Sequence, residues 1–259
     1  MPQPLSSLGN KISYSIGNNT DSPSTHRPQL ALAAMNVLAE WSILESFLLG
    51  LFTQMLGENP RPAAAIYGAL TSDTSKRAAL RAVAKVALRN QQEKDVFEAI
   101  LDLYKTCAKH RNKIAHWIWG WSKELPDAVL LMDPSEHMAK SVETGEWYAE
   151  YGKYWDTLTK AAMEGRVSSF VPGKGPRLEP PKPPEFSPDG IYIFKQKDFA
   201  EASRLIQKVI ELVSKFRFVV MRNHPVNKDG WLFSTLSALP EIRTFLDHLD
   251  RRRTAQAAP

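Results

Sequence analysis

The sequence predicts a mainly α-helical fold: a bundle of four or five helices, with a small β-containing insertion before the last core helix. Three long segments carry this prediction, because in each of them apolar residues recur at the 3.6-residue spacing of a helix with one buried face. The segments are 29–56, 91–116 and a stretch that begins near Asp198. With 259 residues, of which 43% are hydrophobic and 24% charged, the chain is long enough to bury a core of this size.

The first half of the chain supplies four predicted helices, at 29–56, 63–70, 74–88 and 91–116. Gly57 and Pro60 end the first of them, because neither residue continues a helix well. Asp73 and Thr74 form a cap at the start of the third. Gly120 is the natural stop for the fourth.

The second half of the chain has a different pattern, in which short apolar runs alternate with turn residues. Three strands are predicted, at 128–132, 147–155 and 191–195. Residues 172–188 contain seven prolines, which is typical of an extended surface loop rather than of a helix or strand. The last core helix then begins near Asp198.

Three parts make up the predicted domain organisation. Residues 1–27 are rich in Ser, Asn, Gly and Pro and are expected to form a flexible N-terminal arm. Residues 28–221 form the helical domain, with 119–196 as its β- and proline-rich excursion. Residues 222–259 form a C-terminal tail with one further helix, at 239–253. No internal repeat is visible.

Charge is concentrated in one segment of the chain. Between Thr74 and His116 there are ten Lys or Arg residues and four acidic ones, a difference of +6 that exceeds the net charge of +5 for the whole chain. A positive field of this kind favours an anionic partner such as nucleic acid. A solvated basic helix face explains the same charges equally well.

Composition also excludes several classes of protein. Cys107 is the single cysteine, so there is no disulfide framework and no thiolate metal site. The histidines outside the motif described below form no ligand-spaced cluster, and neither a metal nor a cofactor is expected. Glu40 and Glu45 interrupt the most apolar stretch, 28–57, and the N-terminus lacks a signal sequence. We therefore expect a cytoplasmic protein with no membrane partner.

One short motif carries potential chemistry: Arg111-Asn112-Lys113-Ile114-Ala115-His116, at the end of the fourth predicted helix. Arginine grips phosphate with a fixed, charged fork, and histidine transfers protons near neutral pH. On an ideal helix Asn112 and His116 are about 40° apart, whereas Arg111 and His116 are about 140° apart. A site built from two copies across a symmetric interface would bring these groups together. In the alternative, Lys113 and His116 are ordinary residues that complement the dipole of a helix end.

With this motif the sequence resembles the HEPN superfamily, whose signature is an Arg, commonly followed by Asn, and a His after a short gap. Four residues lie between Arg111 and His116. The architecture of residues 28–221 is similar too, with a long first helix that carries an acidic residue, Glu45, helices before the motif and a closing helix after it. The specific part of the resemblance is the six-residue motif.

The resemblance implies a four-helix bundle that dimerises with its two motifs facing each other. Many members are metal-independent endoribonucleases that act as toxins or in defence against phage, while others bind nucleotides or RNA without cleaving it. It implies that His116 transfers a proton, that Arg111 stabilises charge on the scissile phosphate and that Asn112 orients the pair. An antitoxin or regulatory protein is an implied partner. Some toxins of the family carry a Tyr two residues after the His that a partner modifies; Ile118 stands there in this chain, which puts that form of neutralisation in doubt.

The surroundings of the motif supply supporting candidates. Glu45 is expected either to pair with Arg111 inside the bundle or to lie exposed at the edge of its helix face. Lys109, Lys113 and Trp117 are candidate RNA contacts, since aromatic rings beside a basic cleft stack on bases; packing in the core or in a dimer interface is the alternative for the tryptophan. Three hypotheses remain: a ribonuclease, a non-catalytic RNA- or nucleotide-binding module, and a helical dimerisation protein without a ligand.

Overall fold

A computed structural model describes residues 2–9, 12–17, 22–57, 60–164, 179–184, 187–221 and 231–257. The chain divides into two compact units, each of which is built from two stretches of sequence. We call them the sheet unit, Met1–Arg27 with His116–Phe194, and the helical unit, Pro28–Ala115 with Lys195–Pro259. The first boundary between the units falls after Arg27, and the C-terminal stretch Lys195–Pro259 belongs to the helical unit.

The described residues form the following elements in chain order. They are β1 (Gln3–Pro4), a 3₁₀ turn (Leu5–Leu8), β2 (Ser15–Ile16), α1 (Pro23–His26), α2 (Pro28–Leu56), α3 (Pro60–Ala69), α4 (Asp73–Ala87), α5 (Gln91–His116), β3 (Ile118–Trp121), β4 (Ala128–Met132), α6 (Pro134–Met163), β5 (Ile191–Lys195), α7 (Gln196–Val220), α8 (Trp231–Ala238) and α9 (Pro240–Ala257). The fold is mainly helical with a small sheet, as the sequence predicts.

Three long helices, α2, α5 and α7, form the core of the helical unit. Each buries nine residues at helical spacing, so the apolar patterns predicted their positions to within one or two residues. Phe97 of α5 lies against Phe216 of α7 with ring centroids 5.7 Å apart. Helix α2 is also long and apolar enough to cross a membrane by length and composition, a property that core helices of soluble proteins share.

The start of α4 differs from the prediction by one residue. Ser72 is the N-cap, and its Oγ accepts a hydrogen bond from the backbone N–H of Ser75 at 3.0 Å. Asp73 lies in the first turn, where its charge complements the helix dipole. The predicted cap at Asp73 and Thr74 was therefore wrong, because serine and aspartate are almost equally good caps and both stand at this boundary.

Five short strands form the sheet of the other unit, in the order β1-β5-β4-β3-β2. The pairs β1·β5, β2·β3 and β3·β4 are antiparallel. One face packs on a small apolar core whose buried members are Leu5, Ala128, Leu130, Met132, Ile191 and Ile193. The strands predicted at 128–132 and 191–195 are both present.

The N-terminal segment contributes to this sheet. Where we expected a flexible arm, β1 pairs with β5 and β2 pairs with β3, and Leu5 is fully buried. Polar composition suggested an arm because two-residue strands carry almost no periodic signal. Gly120 allows β2 and β3 to pair closely, because a Cβ at this position would collide with the Ser15 carbonyl oxygen and the Ile16 side chain. Its role is therefore to allow close strand pairing, not to end α5, which already ends at His116.

The strand predicted at 147–155 was wrong, because this segment lies inside the 30-residue helix α6. Asp133 caps the helix by accepting a hydrogen bond from the Ser135 N–H at 2.9 Å, and Pro134 occupies the first turn. Asp133-Pro134 therefore follows directly on the end of β4 at Met132 and starts α6. The aromatic residues that suggested a strand stack along the helix, with Trp147 and Tyr151 centroids 5.2 Å apart at a spacing of four.

The proline-rich loop lies partly outside the described residues. Within 179–184 the chain has no regular secondary structure, as expected. The Trp147 indole N–H donates a hydrogen bond to the Pro181 carbonyl at 3.0 Å, which fixes this piece of the loop beside α6.

Candidate functional site

The Arg-Asn-x-x-Ala-His motif occupies the C-terminal turns of α5. The helix ends at His116, where the chain passes from the helical unit into the sheet unit. Asn112 and His116 are exposed, and both lie on the last five residues of a regular helix. The helix therefore keeps the angles expected from the sequence, with Asn112 and His116 about 40° apart around its axis.

Arg111 is held in the helical unit by two contacts. Its guanidinium lies 5.5 Å from the centroid of the Trp41 ring, within the range of a cation–π interaction. Its Nη1 donates a hydrogen bond to Oδ1 of Asn112 at 2.9 Å. Trp41 is buried on α2, so it offers a fixed surface to the half-buried arginine. A buried ring and a neighbouring amide thus help to orient the Arg111 fork.

The carboxylate of Glu45 contacts residues other than Arg111, the partner considered from the sequence. The Tyr104 hydroxyl donates to its Oε1 at 2.6 Å, and the Lys76 ammonium pairs with its Oε2. Its side chain is only 16% exposed, so the expected exposed position at the helix edge was wrong. The contacts that hold this carboxylate therefore come from α4 and α5 through Lys76 and Tyr104.

Glu45 and Arg111 are nevertheless linked through two stacked rings. Tyr104, which bonds Glu45, stacks on Trp41 with centroids 5.0 Å apart and 20° between the ring planes. Trp41 in turn carries Arg111. We call this chain of contacts, Glu45–Tyr104–Trp41–Arg111, the motif support. It was foreseen only in part, because Glu45 stood out in an apolar helix face while Trp41 and Tyr104 had the pattern of ordinary core residues.

A second tyrosine, Tyr67, lies near the Glu45 carboxylate of the motif support. Burial first, and then the Glu45 and Asp73 carboxylates, raise the pKa of Tyr67 above its ordinary range. The same causes, together with the hydrogen bond to Glu45, raise the pKa of Tyr104. Both phenols therefore stay protonated. The Tyr67 hydroxyl is buried without a hydrogen-bond partner in the described part of the chain, and the Lys76 ammonium lies 5.6 Å from its ring centroid.

The candidate RNA contacts are placed differently from one another. Lys109 is exposed and Lys113 half-buried on α5. Trp117 lies in the sheet unit, where its ring contacts that of Tyr192 with centroids 5.4 Å apart. This contact favours the packing role over base stacking for Trp117, since one ring neighbour is already supplied by the protein.

His110 is an additional residue of interest beside the motif. Its side chain is half-buried. Burial first, and then the charge of Lys113, lower the pKa of His110 below its ordinary value. At neutral pH, His110, the residue before Arg111, therefore carries a neutral imidazole.

Comparison with known proteins supplies no relative: no protein-family model, no curated protein and no solved structure matches this chain. Among the described residues no group of three or more His, Cys, Asp or Glu side chains is arranged to hold a metal ion. The resemblance to the HEPN superfamily accordingly rests on the motif and on the helical architecture around it.

Proposed function

We propose that this protein is a metal-independent endoribonuclease of the HEPN type, active as a cytoplasmic homodimer in a toxin–antitoxin or phage-defence role. One observation carries the proposal. Arg111 is oriented by Trp41 and Asn112 late in a long helix, while His116 stands exposed at the end of the same helix. A held phosphate-binding group and an accessible proton-transfer group are the two components that RNA cleavage without a metal requires.

The chemistry uses the RNA's own 2′-hydroxyl as nucleophile. The 2′-oxygen attacks the adjacent phosphorus, the bond from phosphorus to the 5′-oxygen breaks, and a cyclic phosphate and a 5′-hydroxyl result. In the proposed dimer, His116 of one copy takes the 2′-proton and the protonated His116 of the other copy supplies a proton to the leaving 5′-oxygen. Arg111 stabilises the negative charge that grows on the phosphate oxygens in the transition state.

Homodimerisation is part of this proposal. Because Arg111 and His116 project about 140° apart on one helix, one copy presents the pair poorly. Two motifs that face each other across a two-fold axis would supply two arginines and two histidines to one cleft. Exposed Lys109 and half-buried Lys113 add positive charge for an RNA backbone.

The test is cleavage of labelled RNA in the presence of EDTA by the full chain. We expect cleavage by the wild type and at least a hundred-fold loss in His116→Ala and in Arg111→Ala, since each removes a group that acts in the transition state. His248→Ala and Arg252→Ala are the matched controls, because both residues are exposed on α9 and far along the chain from the motif. Equal cleavage by all variants would refute the assignment of the motif.

A non-catalytic RNA- or nucleotide-binding module is the second candidate, and two contacts of Arg111 favour it. The face of the Arg111 guanidinium lies on Trp41 and one of its N–H groups donates to Asn112, as is common for an arginine with a structural role. This candidate predicts RNA binding by filter retention with no cleavage by the wild type. A helical dimerisation protein without a ligand predicts neither binding nor cleavage.

A further inference from the structure

Helix α6 differs from the other long helices in what it buries. Among the described helices of 25 residues or more, α2, α5 and α7 each bury nine residues, whereas α6 buries none of its 30. Tertiary packing of one face supplies most of the stability of a helix in a protein. A helix of this length without a buried face indicates that another surface covers it.

One side of α6 carries an exposed apolar strip. Its large members are Met138, Val142, Tyr148, Trp155 and Met163, and each is at least 51% exposed. On a helical projection they fall within an arc of about 140°, which also holds Asp156 and Lys160 in the C-terminal half of the helix. Other positions of α6 are half-buried and lie on the other side of the helix, among them Lys140, Trp147 and Tyr154. The strip is therefore not the face that α6 turns toward its own unit.

Two glycines lie in the middle of the strip. Gly145 and Gly152 are seven residues apart, and a Cβ added to either would meet no atom within 4 Å. Glycine weakens a helix interior, and nothing in the described surroundings requires it at these positions. A second helix whose backbone approaches closely would require it.

The charges of α6 indicate that the second helix is the α6 of another copy of this chain. Residues 134–150 contain four Glu and one Lys, whereas residues 151–163 contain two Lys and one Asp. The first half is thus −3 and the second +1. Two copies of α6 side by side in opposite directions would set the acidic half of each against the basic half of the other, and would align their dipoles favourably. A parallel pair would set like charges together.

We propose that the α6 strip is the interface of a homodimer in which two α6 helices pack antiparallel. With Gly145 opposite Gly152 of the second copy, Val142 lies opposite Trp155 of the second copy, and Tyr148 lies beside the two-fold axis. Glu146 and Lys153 flank the strip and come close across the interface. Every contact occurs twice, as an isologous interface requires.

The size of the strip sets the expected strength of the dimer. Thirty residues make a helix about 45 Å long and about 10 Å wide, so two copies cover on the order of 900 Å² of projected face. That area falls at the lower end of specific interfaces, which bury about 1,200–2,000 Å² of accessible surface. A dimer that dissociates on dilution is therefore expected.

Sedimentation velocity of the full chain over a hundred-fold concentration range tests the interface. We expect a reversible monomer–dimer equilibrium in the wild type, and a dissociation constant at least ten-fold weaker in Tyr148→Glu and in Trp155→Glu. Val86→Glu is the matched control, because Val86 is an 89% exposed apolar residue on α4. Circular dichroism of both α6 variants checks that they remain folded, which their exposure predicts. A wild type that stays monomeric, or a dimer unchanged in both variants, overturns the proposal.

Cysteine cross-linking tests the direction of packing. In the antiparallel pair, Tyr148→Cys places the two thiols, one from each subunit, next to each other at the two-fold axis. Met138→Cys places them about 30 Å apart. Cys107 does not interfere, because it is buried and burial raises its pKa to about 12. We expect an oxidised dimer in Tyr148→Cys alone; cross-linking of both variants would indicate a parallel pair and overturn the model of charge complementarity. RNA cleavage is scored separately, because the proposed nuclease also needs a dimer. A protein that cleaves RNA and whose dimer is unchanged in both α6 variants refutes this interface without refuting the nuclease, and an inactive α6 dimer does the reverse.

Discussion

The ring of Tyr104 stacks on that of Trp41 with centroids 5.0 Å apart and 20° between the ring planes. The stack joins α5 to α2 in the core of the helical unit, and both residues are at most 4% exposed. Through Trp41 it reaches Arg111, and through the Tyr104 hydroxyl it reaches Glu45. The orientation of the motif arginine is thereby coupled to packing between the two helices.

Trp41→Leu is expected to affect both stability and the motif. It removes the stack with Tyr104 and the surface on which Arg111 lies, and we expect a loss of roughly 2–4 kcal/mol in the free energy of unfolding. Urea denaturation measures the loss. Trp41→Phe keeps an aromatic face and should retain more than half of the stability and of any RNA cleavage. A Leu variant with full cleavage at a temperature where it is folded would show that Trp41 does not orient Arg111.

Replacement by phenylalanine is expected to change the free energy of unfolding differently at the two buried tyrosines, Tyr104 and Tyr67. Tyr104→Phe removes the hydrogen bond to Glu45 and leaves a half-buried carboxylate with one partner fewer, at a cost of about 1–3 kcal/mol. Tyr67→Phe removes a buried hydroxyl without a partner in the described residues, so we expect no loss or a small gain. Thermal and urea unfolding of both variants give the comparison. Similar losses in the two would contradict the hydrogen-bond assignment.

Gly120→Ala tests the close pairing of β2 and β3. Its Cβ would collide with the Ser15 carbonyl and the Ile16 side chain, and we expect a loss of about 1–3 kcal/mol. Gly68→Ala is the control: it lies in α3 with no atom within 4 Å of an added Cβ, and is expected to stabilise by up to about 1 kcal/mol. Unfolding monitored by tryptophan fluorescence reports on the sheet unit, which contains Trp119 and Trp121. An unaffected Gly120→Ala would mean that β2 does not pair closely in solution.

His110 predicts a pH dependence of stability. Its pKa in the folded protein lies below its ordinary value, chiefly because of burial and then because of Lys113. In the unfolded chain the imidazole titrates near about 6.5, so below that pH the unfolded state binds more protons and stability falls. We expect the free energy of unfolding to decrease between pH 7.5 and pH 5.5, and the decrease to be smaller in His110→Gln. His248→Gln serves as an exposed control. An identical slope in His110→Gln and wild type would exclude His110 as the source.

Long periodic segments were predicted well and short or ambiguous ones were not. The helix that carries the motif was expected at 91–116, and α5 spans Gln91–His116, because its buried positions, Val96 to Ile114, repeat over about five turns. The aromatic segment 147–155 was assigned to a strand, although Trp147, Tyr151 and Trp155 are spaced four residues apart. Aromatic residues are common in strands, and no buried residue of α6 reinforces the helical spacing.

The partner of Glu45 shows why the candidate site could be predicted only in part. An acidic residue inside the apolar face of α2 was expected either to pair with Arg111 or to lie exposed at the edge of that face. Tyr104 and Lys76 hold it instead, because α5 and α4 bring a hydroxyl and an ammonium to this part of α2. Partners in the core depend on how helices cross, and hydrophobic spacing does not specify that.

The sequence by itself determined the helices, the position of the motif at the end of α5 and the basic character of that region, since these follow from periodicity and charge along one chain. Tertiary structure decided which side chains meet. It joined Glu45 to Arg111 through Tyr104 and Trp41, drew the N-terminal segment into the sheet, and left one face of α6 exposed. Each of these depends on contacts between residues far apart in sequence, whose energies arise only when the helices and strands pack together.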